Sequence, residues 1–351
     1  MESPQQEAQR TDRGARTLIV AASMIVVIAG LKAAASLILP FLIAVFLALI
    51  TLPLLNWLQR KGIRTGLAVT VTLLMALGVL VGIAVFIGGS IKDFTAAAPE
   101  YQARLEALYA DFTVWVEAHG LPVQQQLTLD MINPGQLVDV FTSSLRGLAA
   151  ALSNLLLVLL FIIFILFEAA GFPAKLERAF GEQSSSARLD RIRTEVQRYL
   201  GLKTVVSLAT GGLVGAAMAI LQVDFPLLWG ALAFLLNYVP NLGSIIAAIP
   251  PVLLTLLHHG PGRALAVALI FIAVNVTLGN FVEPHFMGRR LGLSTLVVFC
   301  SLVFWGWVWG PVGMLLSVPL TMILKIMLEN TEDLRWVAVL LGAGADPPAA
   351  E

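Results

Sequence analysis

The chain contains a single cysteine, Cys300, which excludes an internal disulfide and any metal site built from several thiolates. It sits inside an apolar run, which assigns it to packing. Charge is also scarce. Asp, Glu, Lys and Arg make up 13% of the 351 residues, and 22 basic side chains balance 22 acidic ones; a soluble domain carries about 25%. The zero balance gives no reason to expect a nucleic-acid partner. There is no P-loop, dinucleotide fingerprint or HExxH motif, so neither ATP hydrolysis nor zinc proteolysis has a basis and no cofactor is expected. Of four histidines two are adjacent, His258-His259, an isolated pair that makes no metal site. The phrase GAGAD at 342–346 superficially resembles an intramembrane aspartyl protease motif, but it lies past the last apolar run and has no partner aspartate within one. No enzyme is expected.

What the chain has is apolar length. Hydrophobic residues make up 58% of it and the mean hydropathy is +0.87, a membrane composition. Several windows reach the ~20 apolar residues that cross ~30 Å of hydrocarbon. They are unbroken and rich in Leu, Ala and Gly, unlike the short alternating strands of an outer-membrane barrel. The expected fold is an all-α polytopic membrane protein of about seven or eight membrane segments, two of them broken or re-entrant helical hairpins, with a small helical extracytoplasmic insertion.

After an N-terminal tail (1–16), three spans occupy 17–90, the first two being apolar runs at 17–38 and 41–55 separated by Pro40. Arg10, Arg13 and Arg16 before Ala33-Ala34-Ala35 also suit a cleaved signal peptide. Against that, apolar character resumes at once and Lys32 interrupts the would-be core. The insertion, 91–147, reads as a helix over about 99–118, a loop through LPVQQQLTLD, and a helix opened by Asn133 as cap with Pro134 in its first turn. Span four covers 148–168. In the polar segment 169–201, Leu189, Ile192, Val196 and Leu200 share a helical face opposite Arg188, Arg191 and Arg198, a face suited to the membrane surface, a partner, or another helix of the chain. Apolar stretches at 202–221, 225–257, 264–282 and 294–328 complete the C-terminal membrane region, and 329–351 form a tail.

Short Lys- and Arg-rich loops stay in the cytoplasm. The N-terminal arginines, Arg60, Lys61 and Arg64, and the seven basic residues of 169–203 therefore face inward, and 91–147, with three basic and seven acidic residues, faces outward. A single crossing by 225–257 would leave Arg289 and Arg290 outside, whereas a hairpin turning at Pro240-Asn241 brings them inside. The same reasoning applied to 294–328 places Lys325 and both termini in the cytoplasm.

The two long segments resemble each other. PNLGSIIAAIP (240–250) and GPVGMLLSVP (310–319) each put Gly two or three residues after a break and Pro six or seven after that Gly. An interrupted helix at membrane depth is tolerated only where it is buried in protein or lines a cavity, and paired Gly/Pro-interrupted segments point to a transporter's binding site. Two packed proline kinks are the plainer reading. A half-helix starting after Asn241 offers free N–H groups and a positive dipole end. Ser244 lies one turn in, and Asn237, Asn275 and Asn280 add uncharged hydrogen-bonding groups. No charged residue occurs between 225 and 262. The candidate substrate pathway is thus Asn237, Pro240, Asn241, Gly243, Ser244, Pro250, Asn275, Asn280, Gly310, Pro311, Gly313 and Pro319. Ionisable residues within or beside spans are functional candidates. Glu283 is the first choice for proton or cation coupling, or else pairs with Arg289 or Arg290. Lys32 is a second candidate unless it snorkels to an interface, and Glu168 closes span four. Gly78/Gly82 and Gly211/Gly215 have the spacing of close helix contacts, within or between protomers.

At PNLGSIIAAIPPVLLTLL, GNFVEPHFMGRRLGLS, WGWVWGPVGMLLSVPLTMILK and LILPFLIAVFLALITLPLLNWLQRKGI the sequence resembles the autoinducer-2 exporter (PerM-like permease) family. The resemblance implies a multi-pass protein of the bacterial cytoplasmic membrane, secondary transport without ATP, and homo-oligomers. It also implies one of two activities: export of the small hydroxylated signal autoinducer-2, or exchange of sodium or lithium against protons. The family pattern maps onto Pro240, Asn241, Gly243, Pro250, Glu283, Pro284, Gly310, Gly313 and Pro319. Where many relatives carry a second proline after the first glycine, this chain has Ser244. The leading expectation is therefore an exporter of small hydroxylated or amphipathic solutes. Alternatives are a cation/proton antiporter centred on Glu283 and a non-transporting scaffold using 91–147 and 184–200.

Overall fold

The computed structural model describes residues 4–119, 143, 155–169, 175, 185–240, 242–287, 292–329, 331 and 334–342, and among these there is no strand. Helix α1 (Pro4–Ala33) meets α2 (Ala35–Arg60) with no loop between them. The expected boundary at Pro40 is displaced. Pro40 lies buried inside α2, and the ladder is interrupted instead at Ala34 (φ −88°, ψ 11°), whose N–H still reaches Gly30 O at 2.9 Å. A proline removes one donor, and inside a packed membrane helix neighbouring groups can absorb that loss.

Helix α3 (Thr65–Ala118) runs for 54 residues, about 80 Å at 1.5 Å per residue. The helix expected over 99–118 is therefore not a separate element. It continues the third span past Pro99 as a stalk, because Gly88 and Gly89, where the composition turns polar, keep to the helical ladder. The loop and the helix expected at Asn133-Pro134 lie outside the described residues. After α4 (Leu155–Ala169), α5 (Ser185–Ile220) likewise joins the amphipathic segment to the span behind it. The apolar face of that segment is occupied within the chain: Val196 and Leu200 are buried with Phe46 of α2 and with Leu316 and Met322 of the last long helix, Thr295–Glu329.

Both long C-terminal segments are broken. Helix α6 (Pro226–Leu236) and α7 (Leu242–Asn275) flank the turn at 237–240, and α7 breaks again at Gly260 (φ 80°, ψ 178°). A π-helical stretch, Val276–Val282, leads into the short α8 (Glu283–Met287). Helix α9 (Thr295–Glu329) breaks at Gly310 (φ 66°, ψ −150°), and α10 (Arg335–Leu341) closes the described chain. Among the described residues five stretches are long and apolar enough to cross a membrane, Ala35–Arg60, Thr65–Gly82, Arg191–Ile220, Leu242–Val282 and Thr295–Glu329, with shorter apolar helices at Leu18–Ala33, Leu157–Glu168 and Pro226–Leu236. Large apolar side chains such as Leu74, Leu213, Ile249, Leu265 and Phe299 point outward, as a lipid-facing surface requires. The protein is a polytopic helical membrane protein.

One apolar cluster joins α2, α3 and α4 through Ala44, Ala48, Leu55, Val69 and Ile162. Another packs Phe94 and Tyr101 of the stalk onto Met218, Trp229 and Phe271. Helices α5 and α6 meet through glycine. A Cβ on Gly211 would lie 2.6 Å from Gly230 O, and one on Gly230 would lie 2.8 Å from Gly211 O. Nothing within 4 Å would meet a Cβ on Gly78 or Gly82.

Candidate polar site at the first helix break

The two breaks are built alike. Three residues past each lies a glycine whose missing Cβ makes room for a carbonyl near the end of the preceding half-helix. A Cβ on Gly243 would collide with Leu236 O and lie 2.6 Å from Leu236 C; one on Gly313 would collide with Trp305 O and lie 2.8 Å from Trp305 C. The paired Gly spacing in the sequence thus marks two hairpin turns in which the arms touch backbone to backbone.

The surroundings of the turns differ. At the first, Leu236 O accepts from Val239 N at 2.8 Å and Gly243 N donates to Val239 O at 3.1 Å, which closes the turn. Its side chains reach α5. Asn237 Nδ2 donates to Ser207 Oγ at 2.9 Å, both buried, and Tyr238 OH donates to Thr204 Oγ1 at 2.8 Å. Thr204 passes its own proton to Leu200 O at 2.7 Å. On the same strip of α5 Lys203, 4% exposed, donates to both carboxylate oxygens of Glu283 at 2.8 Å. Tyr199, also buried, lies within electrostatic reach of Glu283 and Tyr238. Lys203 is buried and Glu283 only partly so; removing Glu283 leaves the buried ammonium without its counter-charge, at a cost of up to about 3–5 kcal/mol.

Glu283 reaches this strip at the end of the π-helical Val276–Val282. A π turn holds more residues than an α turn, so it rotates the residues beyond it onto another face, and such turns frequently mark functional sites. Beside the break is a groove of about 250 Å³ lined by Pro240, Thr295, Leu296, Val298, Phe299 and Leu302.

Of the residues singled out from sequence, Asn237, Pro240, Gly243 and Ser244 fall at this break, and Glu283 joins it through Lys203. Pro250 lies two turns up α7, half-buried, Asn275 ends α7, and Asn280 is exposed on the π-helical stretch. Asn241 lies outside the described residues. Gly310, Pro311, Gly313 and Pro319 belong to the second break, which is knitted to itself and to α1: Trp309 Nε1 donates to Leu31 O at 2.9 Å, Trp305 Nε1 to Thr321 Oγ1 at 3.2 Å and Ser301 Oγ to Ser317 O at 3.0 Å. Lys32 lies there too, its ammonium 4.5 Å from the Trp307 ring centre. The first half of α9 separates Gly310 from the groove at Pro240, so the breaks stand apart.

Lys203, Thr204, Ser207 and Tyr238 are not among the residues that the sequence pattern singles out. In the pattern Lys203 counts only as a topogenic charge, although a lysine opening an apolar run needs a carboxylate partner; from the sequence Glu283 is instead given a coupling role or a pairing with Arg289 or Arg290.

A family model described as AI-2E family transporter matches residues 21–333. The putative transport protein YhhT of Escherichia coli strain K12 is 38% identical over 348 residues, covering 98% of both chains. The AI-2 transport protein TqsA of the same strain is 37% identical over 332 residues, 94% of this chain and 96% of that one.

Proposed function

Since the chain belongs to the AI-2E transporter family, we propose that it is a secondary exporter of small hydroxylated or amphipathic organic solutes, autoinducer-2-like signals among them, in the bacterial cytoplasmic membrane. The observation that carries this reading is the first break. Asn237, Ser207, Thr204 and Tyr238 gather hydroxyl and amide groups without a net charge, next to a groove of about 250 Å³. Such groups exchange hydrogen bonds with a polyol or hydroxyketone at little cost, whereas a strongly charged solute gains no counter-charge from them. A relative named for AI-2 transport supports the same class. In this reading the end of the molecule bearing Arg191 and Lys325 faces the cytoplasm, in keeping with the charge rule.

The test is solute efflux from proteoliposomes holding the purified protein, with autoinducer-2 or a small polyol inside and a proton or sodium gradient imposed. Efflux that falls strongly in Asn237→Leu is expected; no movement of any solute under either gradient would end the proposal.

A cation/proton antiporter is the second reading, favoured by the Lys203–Glu283 pair, a part-buried carboxylate with an exchangeable partner. It predicts cation-driven pH changes that Glu283→Gln abolishes while solute efflux persists.

A further inference from the structure

At the other end of the first hairpin, far from its tip, three elements bring titratable groups together. Tyr101 of the α3 stalk donates its hydroxyl to Asp224 Oδ2 at 3.1 Å, in the connection between α5 and α6. His258, two residues before the Gly260 break, sets Nδ1 3.4 Å from that same oxygen and Nε2 3.8 Å from Glu100 Oε1. The Tyr101 and His258 rings are 5.1 Å apart and tilted, and the His259 ring lies 6.0 Å beyond. Arg104 holds Glu100 from the side at 2.8 Å. The connection itself is tightly wound, with Gln222 and Phe225 at φ 55° and 57°, and Trp229 Nε1 donates to Asp224 O at 2.6 Å.

His258 Nε2 is shielded from solvent and has no hydrogen-bond partner. A neutral imidazole carries one proton and satisfies one side of this arrangement at most. A second proton gives it a donor at each nitrogen, one toward Asp224 and one toward Glu100.

We infer that Glu100, Tyr101, Asp224 and His258 form a proton-operated latch that ties the α3 stalk to the root of the first hairpin. With His258 protonated, the stalk, the α5–α6 connection and the end of the hairpin arm share one charge-assisted network. With it neutral, the Tyr101–Asp224 hydrogen bond and the apolar packing of Phe94 still join stalk and connection, and the junction at Gly260 is released from Glu100. The hairpin is held at its tip by Ser207 and Thr204, so the latch sets how firmly its other end is held. Imidazole is the side chain whose ordinary titration falls between pH 5 and 8, which makes the latch responsive to acidification of the compartment it faces. The inference rests on the geometry of the fold and not on which solute is moved.

The experiment is hydrogen–deuterium exchange on the full-length protein in lipid nanodiscs at about pH 5.5 and about pH 8, corrected for intrinsic exchange, with no solute present. Segments 94–104, 222–228 and 252–260 are read. Protection in the wild type is expected to be about two- to fivefold greater at the acid pH, the range for partly exposed ion pairs. His258→Gln should show the wild-type alkaline protection at both pH values, and His258→Lys, which keeps a cation there, should show the acid protection at both. Glu100→Gln, which removes the carboxylate facing Nε2, provides a second variant with the same loss of pH response. Equal wild-type protection at the two pH values, or a pH response retained in His258→Gln, overturns the latch. Because the readout needs no flux, it fails or succeeds independently of the transport proposal.

Discussion

Lys203 and Glu283 lie 80 positions apart in the chain and meet in a two-pronged ion pair, both distances 2.8 Å, where α5 passes the end of the π-helical turn. The pair joins the strip that grips the first hairpin to the segment leading out of α7. It also changes the reading of Glu283, for which the sequence offered Arg289 or Arg290 as partners, or a role as a lone coupling carboxylate.

Neutralising Glu283 leaves the Lys203 ammonium buried without its counter-charge, and neutralising Lys203 leaves a part-buried carboxylate unpaired. Lys203→Met or Glu283→Gln should each lower stability by up to about 3–5 kcal/mol, while Lys203→Met with Glu283→Leu should recover a large part of that loss. Chemical or thermal unfolding of the purified protein in detergent checks this; a double variant no more stable than the singles would show that the pair contributes beyond its own compensation.

Gly243 and Gly313 should resist substitution in the same way. Alanine at either puts a Cβ into the carbonyl of Leu236 or Trp305, and backbone cannot swing aside as a side chain can. Loss of folded protein on size-exclusion chromatography is expected for both. At Gly260 and Gly310 an added Cβ meets nothing within 4 Å, so alanine there costs only the positive-φ strain, about 1–3 kcal/mol. Those variants should remain folded.

Tyr101 should make stability fall at alkaline pH. Burial, then the neighbouring Asp224 charge and its hydrogen bond, raise the phenol above its ordinary value of 10.0. A raised folded pKa means that the unfolded chain releases the proton first. The contribution is therefore whole below about pH 10 and is lost as pH rises beyond it. Tyr101→Phe should be less stable than wild type at neutral pH by about 1 kcal/mol, one hydrogen bond. It should also show a flatter decline above about pH 10, read by unfolding midpoints across pH.

Lys32 is expected to be dispensable for coupling. Its ammonium lies over Trp307, an arrangement that anchors a helix end and is worth about 0.5–1 kcal/mol at an exposed site. Lys32→Met should leave solute efflux and its pH dependence unchanged, whereas Trp309→Phe, which removes the indole bond to Leu31 O, should loosen α1 and raise its proteolysis.

The class of molecule is legible in the residues alone, because apolar runs of membrane length and scarce charge admit no other solvent. So are the two breaks. PNLG and GPVG carry the glycine that lets one half-helix meet a carbonyl near the end of the other, a requirement of local backbone geometry that survives in any context. Helix boundaries are less legible. Pro40 stays within α2, and α3 and α5 run through the change from apolar to polar, since hydrogen-bond ladders respond to caps and dihedrals and not to hydropathy. Which polar groups face each other is a matter of tertiary packing. Lys203, Thr204 and Ser207 are separated from Tyr238 and Glu283 by more than thirty residues, and the π-helical turn rotates Glu283 off the face that a 3.6-residue period assigns to it. The asymmetry of the breaks arises in the packing too. Two turns with the same backbone motif became a polar site and a tryptophan-closed joint according to which helix packs against each, α5 or α1, and packing partners are not written into any local stretch of sequence.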